Sequence, residues 1–356
     1  MSDASPVPGE EPATVELTAE RTGATRVFVD FAARTDVGKV RPHNEDQFLV
    51  AKLAKAMRVC ATSLVGDDAI RLGDDRGALL VVADGMGGHA AGERASALAV
   101  NTIEGFVLNS LKWFFRLGVG EETFLLQELR EALKEADRTL VDWAEVEPEL
   151  AGMGTTLTLA FSVDDRLFIA HAGDSRAYLY RNGELDQLTR DHTMVQSLVD
   201  AGLMTPGQAR QDRRRHLVTN ALGGPSPGVH AELDKMTLQD GDTILLCTDG
   251  LTGPVEDARI AEVLAGQPEP EDACDALVDL ALARGGPDNV TVVVARYSIA
   301  SANVARQSER IAHRALLTGL FVKLAEAIDV GDGRRAAAAQ QQLRKLGWAV
   351  SPPSRP

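Results

Sequence analysis

The stretch Val81-Val82-Ala83-Asp84-Gly85-Met86-Gly87-Gly88-His89 constrains this chain more than any other. An apolar run stops at a carboxylate, a glycine-rich turn follows, and a small-residue helix begins at Ala90-Ala91-Gly92-Glu93. The run reads as a buried strand, which fixes the backbone carrying Asp84. The arrangement returns at Ile244-Leu245-Leu246-Cys247-Thr248-Asp249-Gly250. A third acidic turn, Gly286-Pro287-Asp288-Asn289, precedes the apolar run Val290 to Val294. Aspartates at three strand ends predict one oxygen-rich cation site assembled from distant parts of the chain. Such ligands suit Mg²⁺ or Mn²⁺ rather than zinc. The glycine beside Asp84 and Asp249 would leave room for a cation or a carbonyl ligand.

The bulk properties narrow the class. A chain of 356 residues suffices for one large domain or two modest ones. A formal charge of −15 argues against general nucleic-acid binding, which needs a basic face. The cysteines, Cys60, Cys247 and Cys274, are odd in number and lack CxxC spacing. This predicts no disulfide framework, no zinc site and a reducing compartment, hence a cytoplasmic protein. The acidic, proline-bearing start is no signal peptide. No apolar run approaches the ~20 residues of a membrane span.

Residues 1–24 read as a disordered acidic segment. Val27, Val29 and Phe31 alternate as in a strand, and Thr35 to Val40 is a turn. The charged group Arg41-Pro42-His43-Asn44-Glu45-Asp46 sits directly before the apolar Phe48-Leu49-Val50. Residues 51–77 read as a long hairpin excursion. Helical patterns cover 92–115 and 121–143. The second places Phe124, Leu125, Leu129, Ala132, Leu133, Ala136 and Leu140 on one face, and the aromatic residues of both helices are assigned to the core. Strands are expected at 156–163, 167–172, 176–180, 185–188, 229–238, 242–248 and 290–297, and further helices at 194–201, 257–264 and 271–283. Thr205-Pro206 is a helix start. Residues 193–228, with the basic run Asp212-Arg213-Arg214-Arg215-His216, form a helical insertion placed to act as a flap. Beyond Ser298 the character changes: residues 300–356 hold nine Lys+Arg against four Asp+Glu. This basic helical extension packs on the body, or serves dimerisation or the docking of a partner.

Together these motifs resemble the type-2C metal-dependent serine/threonine protein phosphatases, the PPM family, in its bacterial branch. The residues carrying the resemblance are, in order, Arg41-Pro42-His43-Asn44-Glu45-Asp46, Ala83-Asp84-Gly85-Met86-Gly87-Gly88-His89, Gly152-Met153-Gly154-Thr155-Thr156, Gly173-Asp174-Ser175-Arg176, Leu222-Gly223-Gly224, Thr248-Asp249-Gly250-Leu251 and Gly286-Pro287-Asp288-Asn289-Val290-Thr291. The implied fold is an α/β class α-β-β-α sandwich: two mainly antiparallel sheets flanked by helices, here with a C-terminal helical extension. The domain division would be 1–24, a phosphatase domain over 25–298, and the extension 299–356.

The resemblance implies two Mn²⁺ or Mg²⁺ ions per site, with a third under the flap. Asp84 would bridge the two, Asp249 and Asp288 would complete the first site, and Glu45 and the Gly85 carbonyl would serve the second. Asp174 and Asp249 would hold the third. Arg41 would bind the substrate phosphate, and Asp46 and Asn289 would orient ligands. The implied reaction is hydrolysis of phosphoserine and phosphothreonine in proteins by a metal-bridging hydroxide, reversing a Ser/Thr kinase. Met86 stands where animal relatives carry a proton-donating histidine, so a metal-bound water is the expected proton donor, ahead of His89. His171 reads as a packed histidine, His43 as a loop or pocket residue. Ser175 has no base arranged around it. Two other readings stay open: a pseudophosphatase scaffold that binds phosphoproteins or a kinase, and a regulator phosphatase acting on an anti-sigma-factor antagonist.

Overall fold

Strand residues that are apolar on both faces need cover on both sides, and three apolar layers supply it. The structure, a computed structural model, describes residues 25–58, 70–87, 90–109, 121–224 and 228–301. The chain divides into two units, and the one described is Arg26–Ala300. The acidic lead-in and nearly all of the basic extension lie outside the described residues, as do Cys60, Gly88, His89 and the end of the first expected helix.

In chain order the elements are β1 (Thr25–Asp36), β2 (Asp46–Arg58), β3 (Ile70–Met86), α1 (Ala90–Asn109), α2 (Glu121–Val146), β4 (Gly154–Thr155), β5 (Leu157–Val163), β6 (Arg166–Ala172), β7 (Arg176–Arg181), β8 (Glu184–Gln187), α3 (Met194–Asp200), α4 (Pro206–Gln211), β9 (Leu222–Gly223), β10 (Glu232–Thr237), β11 (Thr243–Cys247), α5 (Asp249–Thr252), α6 (Asp257–Gly266), α7 (Pro270–Ala283) and β12 (Val290–Ser301).

One sheet runs β1-β12-β11-β7-β8, and the other runs β10-β6-β5-β3-β4-β9 with β2 paired to β3. The registered strand pairs are antiparallel. Between the sheets lie Leu80, Val82, Ala160 and Ile169 from one side and Leu179, Ile244, Leu246 and Val293 from the other. The outer face of the larger sheet is covered by α1 and α2 through Ala95, Ile103, Leu129 and Leu133. The outer face of the smaller is covered by α5 to α7 through Leu251, Ile260, Leu277 and Val278. Alternate residues of β3 and β11 therefore point to different cores, and all five residues of β11 are buried.

Two local expectations need correction. Phe124 is 46 % exposed and Trp143 is 37 % exposed. Successive helix residues turn by about 100°, which puts Phe124 well off the stripe that buries Leu125, Leu129, Ala132, Leu133, Ala136 and Leu140. Trp143 instead lies under the Arg94 guanidinium, 4.8 Å from ring centroid to Cζ. After β11, Asp249 opens the single-turn helix α5, closed by Gly253 N–H donating to Asp249 O at 2.7 Å.

Candidate active site

Asp84 comes from the end of β3, directly across from Asp46 at the start of β2. Asp249 is the first residue of α5, Asp288 lies just before β12, and Asp174 lies in the turn from β6 to β7. These positions belong to both sheets, yet Glu45, Asp84, Asp174, Asp249 and Asp288 line one cavity of about 990 Å³ together with Arg41, His43, Gly85 and Met86. Asp46 and Asn289 are buried behind it.

The backbone around each carboxylate is tied down. Thr156 clamps Asp84: the Asp84 N–H donates to Thr156 Oγ1 at 2.9 Å, and Asp84 O accepts from the Thr156 N–H at 2.9 Å. The Thr155 hydroxyl also donates to Asp84 O at 2.9 Å. Asn289 binds three separate backbone groups: its Oδ1 accepts from Glu45 N–H at 2.9 Å, and its Nδ2 donates to Val37 O at 2.9 Å and His43 O at 2.8 Å. Asp46 Oδ2 accepts from the hydroxyls of Thr248 at 2.9 Å and Thr291 at 2.7 Å. Asp46, across from Asp84, is thus tied to Thr248 beside Asp249 and to Thr291 three residues after Asp288.

The glycines next to the aspartates have a packing reason. A Cβ at Gly85 would overlap Gly92 O of α1, and one at Gly250 would overlap Asn289 O. Gly92 in turn faces the Glu45 carboxylate, 2.8 Å from where its own Cβ would be. Close backbone approach, rather than space for a ligand, is therefore sufficient cause for small residues here.

Crowding of like charges shows in the titration of these groups. Asp84 is pushed well above the usual carboxylate range, first by burial and then by Asp46, Asp249, Asp174 and Asp288. Asp174 is raised by burial, then by Asp249 and Asp191. Burial lifts Asp46 to about 7 against the hydroxyls of Thr291 and Thr248, and burial lifts Glu45 against Arg41. A set of oxygen donors that repel one another, one of them with the unpartnered buried oxygen Asp46 Oδ1 behind it, fits hard divalent cations.

Arg41, expected at the phosphate, donates from Nη2 to Asp288 Oδ2 at 2.8 Å and is 47 % exposed. His216, from the basic run of the insertion, places Nδ1 3.3 Å from Asp249 Oδ2. In the sequence His216 and Thr156 carry no mark of their own; only the Gly-Thr-Thr motif and the basic run point near them.

His171 is fully buried and held at about 3 by that burial. It stacks on His192 at 4.8 Å, and with Glu232 these form a compact group of possible metal ligands. The hydrogen bonds argue against a cation there. His192 Nδ1 accepts from Gly173 N–H at 3.1 Å and Asn220 at 2.9 Å, so its proton is on Nε2, facing Glu232 Oε2 at 3.2 Å. His171 Nε2 faces Arg190 O at 3.2 Å. Ser175 is buried against Thr156, Oγ to Oγ1 2.8 Å.

The two-sheet sandwich brings five carboxylates and an arginine around one cavity at the junction of its sheets, a donor set that fits divalent cations. A family model described as protein phosphatase 2C matches residues 59–281, and the chain belongs to that family, in its bacterial branch. It is 41% identical over 265 residues to the serine/threonine protein phosphatase PstP of Mycobacterium tuberculosis, covering 74% of this chain and 44% of that protein. The chain thus spans less than half the length of that relative. It is 34% identical to the serine/threonine phosphatase stp of Listeria monocytogenes, over 73% of this chain and 93% of that one. The crystal structure of the catalytic domain of PstP in complex with two manganese ions superposes with a TM-score of 0.61 at 39% identity, covering 77% of this chain and all of that one.

Proposed function

We propose that this chain hydrolyses phosphoserine and phosphothreonine in proteins, opposing a Ser/Thr kinase. The observation that carries the reading is the convergence of Glu45, Asp84, Asp174, Asp249 and Asp288 on one cavity shared with Arg41. Asp84 would hold two cations at once, Asp249 and Asp288 would complete one site, and Glu45 and the Gly85 carbonyl the other. Asp174 and Asp249 would take a third. Cations held there supply Lewis acidity and a water acidic enough to attack phosphorus near neutral pH. Arg41 would leave Asp288 to meet the phosphate, whose oxygens its planar fork matches. Asp46 and Asn289 orient: both sit behind the cavity and bind the backbone or hydroxyls of the loops that present the ligands.

Among the described residues no helix is long and apolar enough to cross a membrane. We place the activity in the cytoplasm, where the buried Cys247 and Cys274 thiols stay reduced. The extension 299–356 would dock a partner or a second copy, which its removal and a measurement of oligomeric state test. The function itself is tested with purified protein, Mn²⁺ and a phosphothreonine peptide. Phosphate release that a chelator stops, and that Asp84→Ala or Asp249→Ala abolishes, is the expected result. No release, or release that survives both substitutions, would overturn it.

A further inference from the structure

The carboxylate-lined cavity has a second, cationic wall. Arg215 and Arg284 line it, and both also line an adjoining cavity of about 710 Å³ between α3, α4 and the body. The two residues therefore stand at the junction of the two spaces.

The other arginines that line the two cavities are committed to carboxylates, and so is Arg214. Arg41 binds Asp288 at 2.8 Å, Arg176 binds Asp191 at 2.7 Å, Arg210 approaches Asp257 at 3.8 Å, and Arg214 binds Asp212 at 2.9 Å. Arg215 and Arg284 meet no carboxylate of the described residues within ion-pair distance. The Arg284 side chain and the backbone of Arg215 are both tied down. Arg284 Nη1 donates to Pro254 O at 2.9 Å. The backbone N–H of Arg215 donates to Asp212 O at 3.2 Å, and the next residue, His216, is anchored on Asp249. A guanidinium carries five N–H donors and no acceptor, so each has donors to give to a ligand.

Their charge could simply offset the acidic cavity. With divalent cations at the carboxylates that need disappears, and two guanidiniums face whatever lies beside the phosphoresidue. We propose that Arg215 and Arg284 form a second anion subsite. It selects segments in which a second anionic side chain, carboxylate or phosphate, lies within a few residues of the phosphoserine or phosphothreonine. This rests on the phosphatase reading above. An extended segment advances roughly 3.3 Å per residue, so neighbours of a phosphoresidue held at Arg41 run along the cavity wall.

The test compares kcat/KM of the full chain with Mn²⁺ on phosphothreonine peptides flanked by alanine, glutamate or lysine, and on one carrying a second phosphate. Wild type is expected to favour the glutamate and doubly phosphorylated peptides over the alanine peptide by about tenfold, the size of one charge-assisted hydrogen bond. Preference for the doubly phosphorylated peptide alone assigns the subsite to phosphate; preference for both assigns it to any anion. In the double variant R215Q/R284Q the ratio should fall towards one through KM. R215E/R284E should favour the lysine peptide, a gain that a misfolded protein cannot show. Equal wild-type rates on all flanks, or an unchanged ratio in the folded variants, would overturn the subsite while leaving the phosphatase reading intact. Failure of wild type on every peptide and on p-nitrophenyl phosphate would overturn both.

Discussion

Arg41 Nη2 and Asp288 Oδ2 are 2.8 Å apart, so the guanidinium expected at the phosphate is bound to a carboxylate of the same cavity. The bond to Asp288 is the first reason that Arg41 is raised above its ordinary range. A half-exposed pair of this kind is worth about 0–1 kcal/mol to stability. Arg41→Ala should therefore leave the thermal midpoint almost unchanged while raising KM for a phosphopeptide by tenfold or more. Arg41→Lys, which keeps the charge but loses the fork, should recover only part of the loss. A KM unaltered in both variants would remove Arg41 from the phosphate.

Thr156 holds Asp84 by both its hydroxyl and its backbone. Thr156→Val keeps the shape and leaves the Asp84 N–H without that acceptor. An unmet buried donor costs about 1–3 kcal/mol. Urea unfolding should show a loss in that range, and turnover should fall with it because one of the three bonds that fix the Asp84 backbone is lost. Full turnover at reduced stability would separate the clamp from the chemistry.

What could be read from sequence was local. An apolar run ending in Asp-Gly announces a strand-end carboxylate within nine residues, so Asp84 and Asp249 were legible, as was the Thr205 helix cap, which the structure shows as a full capping box with Gln208. What was not legible joins residues far apart in the chain. Thr156 lies 72 positions from Asp84 and Asp288 lies 247 from Arg41, and no pattern in one segment reports such a partner. The helix α5 is one turn long and contains Gly250, too short for any periodicity to show in the sequence. Phe124 is apolar yet exposed, because its angle about the α2 axis, not its apolar character, sets its burial.

Arg176 and Asp191 make a two-pronged pair, Nε to Oδ1 and Nη2 to Oδ2 both at 2.7 Å, where β7 meets the start of the helical insertion. Both side chains are mostly buried, and Arg176 Nη1 also donates to the Tyr178 hydroxyl at 2.8 Å. Breaking such a pair from one side strands a buried charge and costs about 3–5 kcal/mol. Asp191→Ala should lose stability in that range in urea. Arg176→Met strands Asp191 with the neutral Gln187 amide at 3.1 Å, whereas in Asp191→Ala the guanidinium keeps the Tyr178 hydroxyl and the Asp257 carboxylate at 3.7 Å, so Arg176→Met should lose more. Equal losses would contradict the asymmetry.

Stripping metal should invert the usual acid sensitivity of the site. Glu45, Asp46, Asp84 and Asp174 are all raised, with burial the first cause in each. A carboxyl whose folded pKa lies above its unfolded value stabilises the fold fully below the unfolded pKa. That contribution is lost as pH rises through the folded pKa, because the native state binds more protons than the unfolded one. For Asp46 this window runs from its unfolded value, near 4, up to about 7. In chelator the thermal midpoint should therefore be higher at pH 5.5 than at pH 7.5. Excess Mn²⁺ should reverse the order, since cations bind the deprotonated ligands, and a concentration of 100 times Kd adds about 2.7 kcal/mol. Asp84→Asn relieves the repulsion without a cation. It should raise the midpoint in chelator at pH 7.5 and abolish most of the shift on adding Mn²⁺. A lowered midpoint in chelator would mean that Asp84 is held by contacts stronger than the charges crowding it.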